Sequence, residues 1–320
     1  MLSACELKDG KLMQIRVDSK EDLTRKETIW IDLASPTDEE RELVQSLFRL
    51  ELPEDEELQD LQASERYYQD EDGVHIRATF IESSDEAPRN TTLSFTLHGG
   101  RLLTVHDDDL SFLRLFRMRA RVVPGMVSDA VDIILGCYAV AVEHDSDILE
   151  EMYKILDEVG ALILNKDEIT DRVMRDHMER IVAQEDLNGK VRLDLMDNRR
   201  ALSFLLRSRI LSLEQNEELR GILRDIESLN GHTGFIAEKI NFLMDGLLGL
   251  INLAQNKIIK IFSIAAVVFL PPTLVASIYG MNFANMPELQ WPFGYPLAIF
   301  LMIIAAVTPY WYFKQKGWLD

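Results

Sequence analysis

The sequence predicts an α+β cytosolic domain followed by long helices and two transmembrane helices, with a stalk helix running without interruption into the first span. Three observations carry that prediction. Strand and helix signals alternate as far as Pro124. Between Pro124 and Pro271 there is no proline, and apolar residues recur at three- and four-residue spacing. Two long uncharged runs close the chain. The expected divisions are a cytosolic α/β domain over 1–124, a long-helix region over 125–232, the stalk and first span over 233–279, a periplasmic loop over 280–294, the second span over 295–313 and a cytoplasmic tail over 314–320.

In the first region "TIWIDL" reads as a short apolar strand. Ser35-Pro36 then supplies an N-cap and a first-turn proline, and Thr37 with Glu40 has capping-box spacing, so a helix is expected from Pro36. "GVHIRATFI" alternates on Val74, Ile76, Ala78 and Phe80. "TLSFTLHGGRLLTVH" alternates on Leu93, Phe95 and Leu97 and turns back at Gly99-Gly100 as a hairpin. In the proline-free stretch "LNGHTG", Leu229 to Gly234, is the one break expected. A helix from near Phe235 through the first span would measure about 65–70 Å at ~1.5 Å per residue.

The membrane segments are read from length, charge and aromatic placement. Ile261 to Ile278 is uncharged, as is Phe293 to Phe313. Trp291 and Tyr295 stand at one end of the second run and Tyr310, Trp311 and Tyr312 at the other, which is the aromatic belt of a span. Lys257 and Lys260 precede the first span, Lys314 and Lys316 follow the second, and the connection holds neither Lys nor Arg. Both termini are therefore expected in the cytoplasm, with the Gly280 to Pro292 loop outside.

Charge excludes some partners. The formal net charge is -20; residues 257–320 hold four lysines against Glu288 and Asp320, a formal +2, so -22 falls on residues 1–256. Such a field repels nucleic acid and anionic lipid and concentrates cations, and it also serves simply as a solubilising surface. Cys5 and Cys137 lack CxxC spacing, so neither a disulfide framework nor a zinc site is indicated, and "MLSACELKDGKLMQ" has no apolar core of a signal peptide. No phosphate loop, HExxH or GxSxG occurs, and the six histidines are scattered. No enzyme is expected. "HDDD", His106 to Asp109, reads as an acidic helix start, with a surface metal site as the alternative.

Two spans cannot enclose a pathway, so a chain that moves a solute must oligomerise. Asn256, Ile259, Ser263, Ala266, Leu270, Thr273 and Ser277 recur at alternating steps of three and four, a 3.5-residue period that keeps one stripe facing a bundle axis. The same small residues also suit close helix packing. The stripe carries no carboxylate, so it suits an ion that keeps its water, as reluctantly dehydrated Mg²⁺ does. At its outer end Gly280 is expected to let the backbone leave the helix in a conformation other residues resist, and Asn282 offers an amide oxygen to an ion's coordinated water. An ordinary helix C-cap would use glycine in the same place.

"YGMNF" at Tyr279 to Phe283, followed by "MPEL" at Met286 to Leu289, resembles the signature of the CorA family of magnesium transporters. The resemblance extends through "NKIIKIFSIAAVVFLPPTLVASIYGMNFANMPELQWPFGYPLAIFLMI" in the membrane region and through "WIDLASPTDEER", "LRLFRMRAR", "KVRLDLMDNRRALSFLLR" and "ILRDIESL" before it, so that it covers essentially the whole chain. It implies a funnel-shaped homopentamer in the bacterial inner membrane, with the first span lining the pore and the second packed outside. Hydrated Mg²⁺ would meet an asparagine ring, and Co²⁺ and Ni²⁺ are also carried by relatives. By motif, Tyr279, Gly280, Met281 and Asn282 form the selectivity filter, Glu288 belongs to the outer acidic loop, and Asn256 falls on an inner polar ring. Gating in the family relies on divalent ions bridging acidic side chains between subunits, and Asp225 of "LRDI" is the matched candidate for such regulatory Mg²⁺. No organic cofactor is implied. Relatives tend to end in a more basic cluster than "KQKGWLD", where Asp320 opposes Lys314 and Lys316. The alternatives are a related zinc or nickel/cobalt transporter of the same architecture and a membrane-tethered scaffold. The intact Gly-Met-Asn and the lack of His or Cys in the spans favour Mg²⁺.

Overall fold

Period-two alternation in the first hundred residues produces one seven-stranded sheet. The computed structural model describes residues 1–53, 66–82, 88–108, 110–164, 171–282 and 286–316. The chain divides into two units, Met1–Leu243 and Met244–Asp320.

In the first unit the strands are β1 (Leu2–Lys8), β2 (Lys11–Ile15), β3 (Thr28–Ala34), β4 (Tyr67–Gln69), β5 (Val74–Glu82), β6 (Arg89–His98) and β7 (Arg101–His106), ordered β2-β1-β3-β7-β6-β5-β4. Every pairing is antiparallel except β3 with β7, which sets Trp30 opposite Leu102 and Asp32 opposite Thr104. The β6–β7 turn is the expected one, with Gly99 and Gly100 both at positive φ, 57° and 78°. Helices α1 (Lys20–Thr24) and α2 (Asp38–Phe48) belong to one core, in which Leu23 and Val44 meet Ile31, Leu33, Leu103 and Val105. Elsewhere in the unit, α3 (Ser111–Val122) and α4 (Ala130–Leu164) bring Phe112, Phe116 and Tyr138 to Trp30, Phe80 and Phe95, with Phe80 and Phe112 centroids 4.7 Å apart.

Two sequence expectations shift. The helix expected from Pro36 begins at Asp38, capped by Thr37, which exchanges hydrogen bonds with Glu40 (3.0 and 3.2 Å). Ser35 is held at φ 41° with its N–H donating to His106 O, so the chain turns into the helix only after the proline. The break expected at Leu229–Gly234 is absent. After α5 (Asp171–Arg207), α6 runs unbroken from Leu213 to Tyr279. Two helical glycines cost about 1 kcal/mol each, but buried Thr233 lies against α5, where Asn188 Nδ2 donates to its carbonyl at 3.1 Å. The actual break is at Ser208–Ser212, where Arg209 takes φ 60° and Ser212 with Gln215 forms a reciprocal cap.

The second unit holds the C-terminal part of α6, a 3₁₀ turn at Pro287–Gln290 and α7 (Gly294–Gln315). Both helices are long and apolar enough to span a membrane, with mean hydropathy of 2.2 and 1.7 in their most apolar windows. The two candidate spans coincide with the two uncharged runs of the sequence.

Candidate functional site

On the spanning part of α6 the residues that are not exposed are Ile264, Ala265, Val268, Pro271, Pro272, Val275 and Tyr279, with Ile264 only 7% exposed. At about 100° per residue they form one stripe, and the Asn256, Ile259, Ser263, Ala266, Leu270, Thr273, Ser277 stripe is centred roughly 170° away. All seven of those residues are exposed, Ile259 at 61% and Leu270 at 65%. Exposure continues round much of the helix, at Phe262 and Phe269 for example, so exposure alone does not pick out the seven. Their opposition to the least exposed face does: a single chain leaves this side of α6 uncovered.

Pro271 and Pro272 lie inside the span and cannot donate to the carbonyls of Val267 and Val268, while the Thr273 hydroxyl donates to Phe269 O at 2.7 Å. Two missing ladder bonds beside Leu270 weaken the helix where the apolar member of the stripe sits.

At the C-terminal end of α6 Gly280 does not adopt the left-handed conformation expected of it. Its N–H continues the helical pattern to Ala276 O (2.9 Å), and Met281 N–H closes a tighter turn on Ile278 O (3.3 Å). A Cβ there would stand 3.1 Å from Ala276 O, a tight contact that a shift of a few tenths of an ångström relieves. Asn282 and Met281 are exposed beyond the helix end and Tyr279 is half-buried. Phe283 and the Glu288 side chain lie outside the described residues. Tyr279, Gly280, Met281 and Asn282 are thus brought together at the end of α6 by a turn shorter than the left-handed exit.

Asp225 lies on α6 in the first unit, exposed, and lines a groove of about 310 Å³ that Glu143 of α4 also lines. Glu143 is engaged by Arg119 Nη1 at 2.6 Å. Among the described residues no three of His, Cys, Asp and Glu gather as a metal site, at Asp225 or elsewhere. "HDDD" is not a helix start either. Asp108 accepts from Arg89 (2.5 Å) and Thr91, His106 faces Asp32 (3.0 Å), and the acid at the N-terminus of α3 is Glu82, which accepts from Ser111 N–H at 2.9 Å. Asp109 lies outside the described residues.

The sequence reading missed a buried carboxyl pair. Asp145 on α4 and Asp194 on α5 are both wholly buried. Asp194 accepts from Asn198 Nδ2 (2.8 Å) and Ile81 N–H (3.4 Å), whereas among the described residues no N–H or hydroxyl donates to Asp145. Nearby Asp197 is compensated by Arg66 (2.8 Å), Tyr67 OH (2.6 Å) and Thr79 N–H (2.8 Å). Burial pushes Asp194 up to about 7 and lifts Asp145 well above the ordinary carboxylate range, and the neighbouring Asp194 raises Asp145 further. The signal was available: Asp145 falls in the apolar register of Ile134, Tyr138, Leu149, Met152 and Leu156.

The pH dependence has a definite sign. Between about pH 4 and 7 the folded chain keeps protons that the unfolded chain releases. Stability from this pair therefore falls as pH rises through that window, by on the order of 1 kcal/mol per pH unit. Asp145→Asn places an amide donor beside the Asp194 carboxylate. Thermal unfolding of the detergent-solubilised protein is expected to show the variant more stable than wild type at pH 8 and similar at pH 4. A difference independent of pH would contradict the upward shift of this pair.

A family model described as CorA-like Mg²⁺ transporter protein matches residues 25–315. The chain is 45% identical to the magnesium transport protein CorA of Pectobacterium atrosepticum and 43% identical to that of Escherichia coli, each over 100% of both chains. Among solved structures, the complete CorA magnesium transporter of Methanocaldococcus jannaschii superposes with a TM-score of 0.78 at 24% identity, over 99% of this chain and 98% of that one, a likeness of fold.

Proposed function

The chain belongs to the CorA-like Mg²⁺ transporter family, and from that premise we propose that it is a passive channel through which hydrated Mg²⁺ enters the cell, driven by the membrane potential. Co²⁺ and Ni²⁺ follow the same route. Five copies place the uncovered face of α6 around a common axis, with α7 outside it. The membrane is the bacterial inner membrane, and both chain ends are cytoplasmic.

The observation that carries this reading is the opposition of the seven-residue stripe to the least exposed face of α6, with Asn282 just beyond the end of that helix. A ring of such faces offers hydroxyls, amides and a carbonyl-rich turn, donors suited to an ion's water shell rather than to the bare ion. Asn282 supplies the outermost amides, and Leu270 and Ile259 form dry rings further in. The test is uptake into liposomes containing the purified protein, with Mg²⁺, Co²⁺, Ni²⁺ and Zn²⁺ compared side by side. Saturable Mg²⁺ uptake with slower Zn²⁺ uptake is expected; Zn²⁺ uptake without Mg²⁺ uptake would overturn the reading.

Internal Mg²⁺ controls the channel by bridging carboxylates between subunits. The 1–256 regions of neighbouring copies, with 22 excess negative charges each, repel one another, and at a Debye length of about 8 Å neighbouring carboxylates are only partly screened. Bound divalent ions offset that repulsion and hold the ring closed. Driving such an equilibrium from mostly closed to mostly open takes differential binding of about 5 kcal/mol, which several weak sites can supply jointly. Asp225 is the proposed ligand. Asp225→Lys puts an ammonium in place of the cation, so inhibition by internal Mg²⁺ is expected to shift or vanish while permeation persists. An unchanged inhibition curve would remove Asp225 from the sensor.

A further inference from the structure

A second cavity, far in sequence from the proposed pore, lies in the first unit between the C-terminal half of α3 and strands β1 and β2. It measures about 800 Å³, within the range of small-molecule sites. Arg114, Arg117 and Arg121 line it, three guanidinium groups at helical spacing in a chain of net charge -20. The fourth arginine of this run, Arg119, is not part of the cavity lining and pairs with Glu143 on α4.

The central arginine is built into place. Asp32, 2% exposed, accepts from Arg117 Nη1 (3.2 Å) and from Thr104 Oγ1 (2.6 Å), and it faces His106 Nε2 (3.0 Å). Thr104 in turn accepts from Trp30 Nε1 at 2.9 Å, and the Arg117 guanidinium lies 5.3 Å from the Trp30 ring centroid. Burial opposes the charge of Asp32, yet His106, Arg117 and Thr104 hold its carboxyl below the ordinary range. A buried polar chain of four residues thus fixes one guanidinium at the cavity wall. Its fork has five donors, of which Asp32 and Leu113 O take two.

The remaining walls are mixed: Ser3, Gln14 and the Asp32 carboxyl line the cavity beside apolar Leu12, Met13, Met118 and Val122. Leu12 is buried, while Met13, Met118 and Val122 line the cavity as exposed side chains, Met118 at 59%. Thioether side chains adapt to a flat or irregular body, and planar guanidinium groups match phosphate oxygens in pairs. From this combination we infer that the cavity binds an organic phosphate of nucleotide size, its phosphates on Arg114, Arg117 and Arg121 and its apolar body between Met13, Met118 and Val122. The cavity is much larger than inorganic phosphate needs, which the methionine walls would leave unfilled. The inference goes beyond the transport reading and stands whether or not that reading holds.

The experiment measures binding of ATP, tripolyphosphate and adenosine to the full-length protein in detergent, without divalent ions. ATP is expected to bind saturably and more tightly than either fragment. Arg114→Ser with Arg121→Ser is expected to weaken ATP binding at least tenfold, and Arg119→Ser to leave it unchanged. Arg117 is left intact because its loss would strand the buried Asp32 carboxylate. Failure of ATP to bind, an equal loss in Arg119→Ser, or tripolyphosphate binding as tightly as ATP would each overturn the proposal. Melting temperatures of the variants, expected within a few degrees of wild type, separate loss of the site from loss of the fold.

Discussion

Asn282→Ala is expected to lower Mg²⁺ uptake into liposomes at least tenfold while the oligomer still forms. The amide lies outside α6 and is exposed within the chain, so its removal leaves the apolar span untouched. What is lost is an acceptor for the water that Mg²⁺ keeps. A hydrogen bond to a charged group is worth about 1.5–3 kcal/mol, and each 1.4 kcal/mol is a factor of ten. Because every subunit loses the same acceptor, tenfold is the lower bound. Size-exclusion chromatography of the variant checks assembly, and wild-type uptake would show that the asparagine ring is not the selectivity element.

The opposite effect is expected from Leu270→Ser, which places a hydroxyl in the proposed dry ring beside the two prolines. An apolar constriction gates by excluding water, and a hydrated ion cannot cross until it wets or widens. Basal flux is expected to rise several-fold and to respond more weakly to internal Mg²⁺. The absence of ladder bonds from Pro271 and Pro272 places this residue where α6 most readily bends. Unchanged or lower flux would count against a gate at Leu270.

Much of this architecture is legible because its causes are local. Alternation on Val74, Ile76, Ala78 and Phe80 specifies β5, and Gly99-Gly100 supplies the positive φ that its neighbouring hairpin needs. The spans follow from uncharged length alone. Less legible is whatever tertiary contact decides. The glycines at 231 and 234 suggest a break that packing against α5 prevents, and the true break at Arg209 is written only in a Ser212–Gln215 cap. Gly280 shows the same limit: its presence at a helix end is visible, but not that its N–H continues the helical pattern to Ala276 O. Asp145 stands in an apolar register among neighbouring acids, and only the packing of α4 on α5 shows that it is buried beside Asp194 with its carboxyl pushed well above the ordinary range. The candidate pathway is legible as a stripe, while the subunits that would complete it are encoded in surfaces a single chain leaves open.

The most direct test of the pathway is modification of single cysteines placed along α6. The native thiols, Cys5 and Cys137, are buried and contribute little background. Cysteines at Ser263, Thr273 and Ser277 would lie on the proposed axis, and cysteines at Ile264, Val268 and Val275 on the opposite face. A charged thiol reagent added during Mg²⁺ uptake is predicted to block flux through the first set and to spare the second. Flux that persists after complete labelling at Thr273 and Ser277, together with block at Val268 or Val275, would contradict a pathway along this stripe.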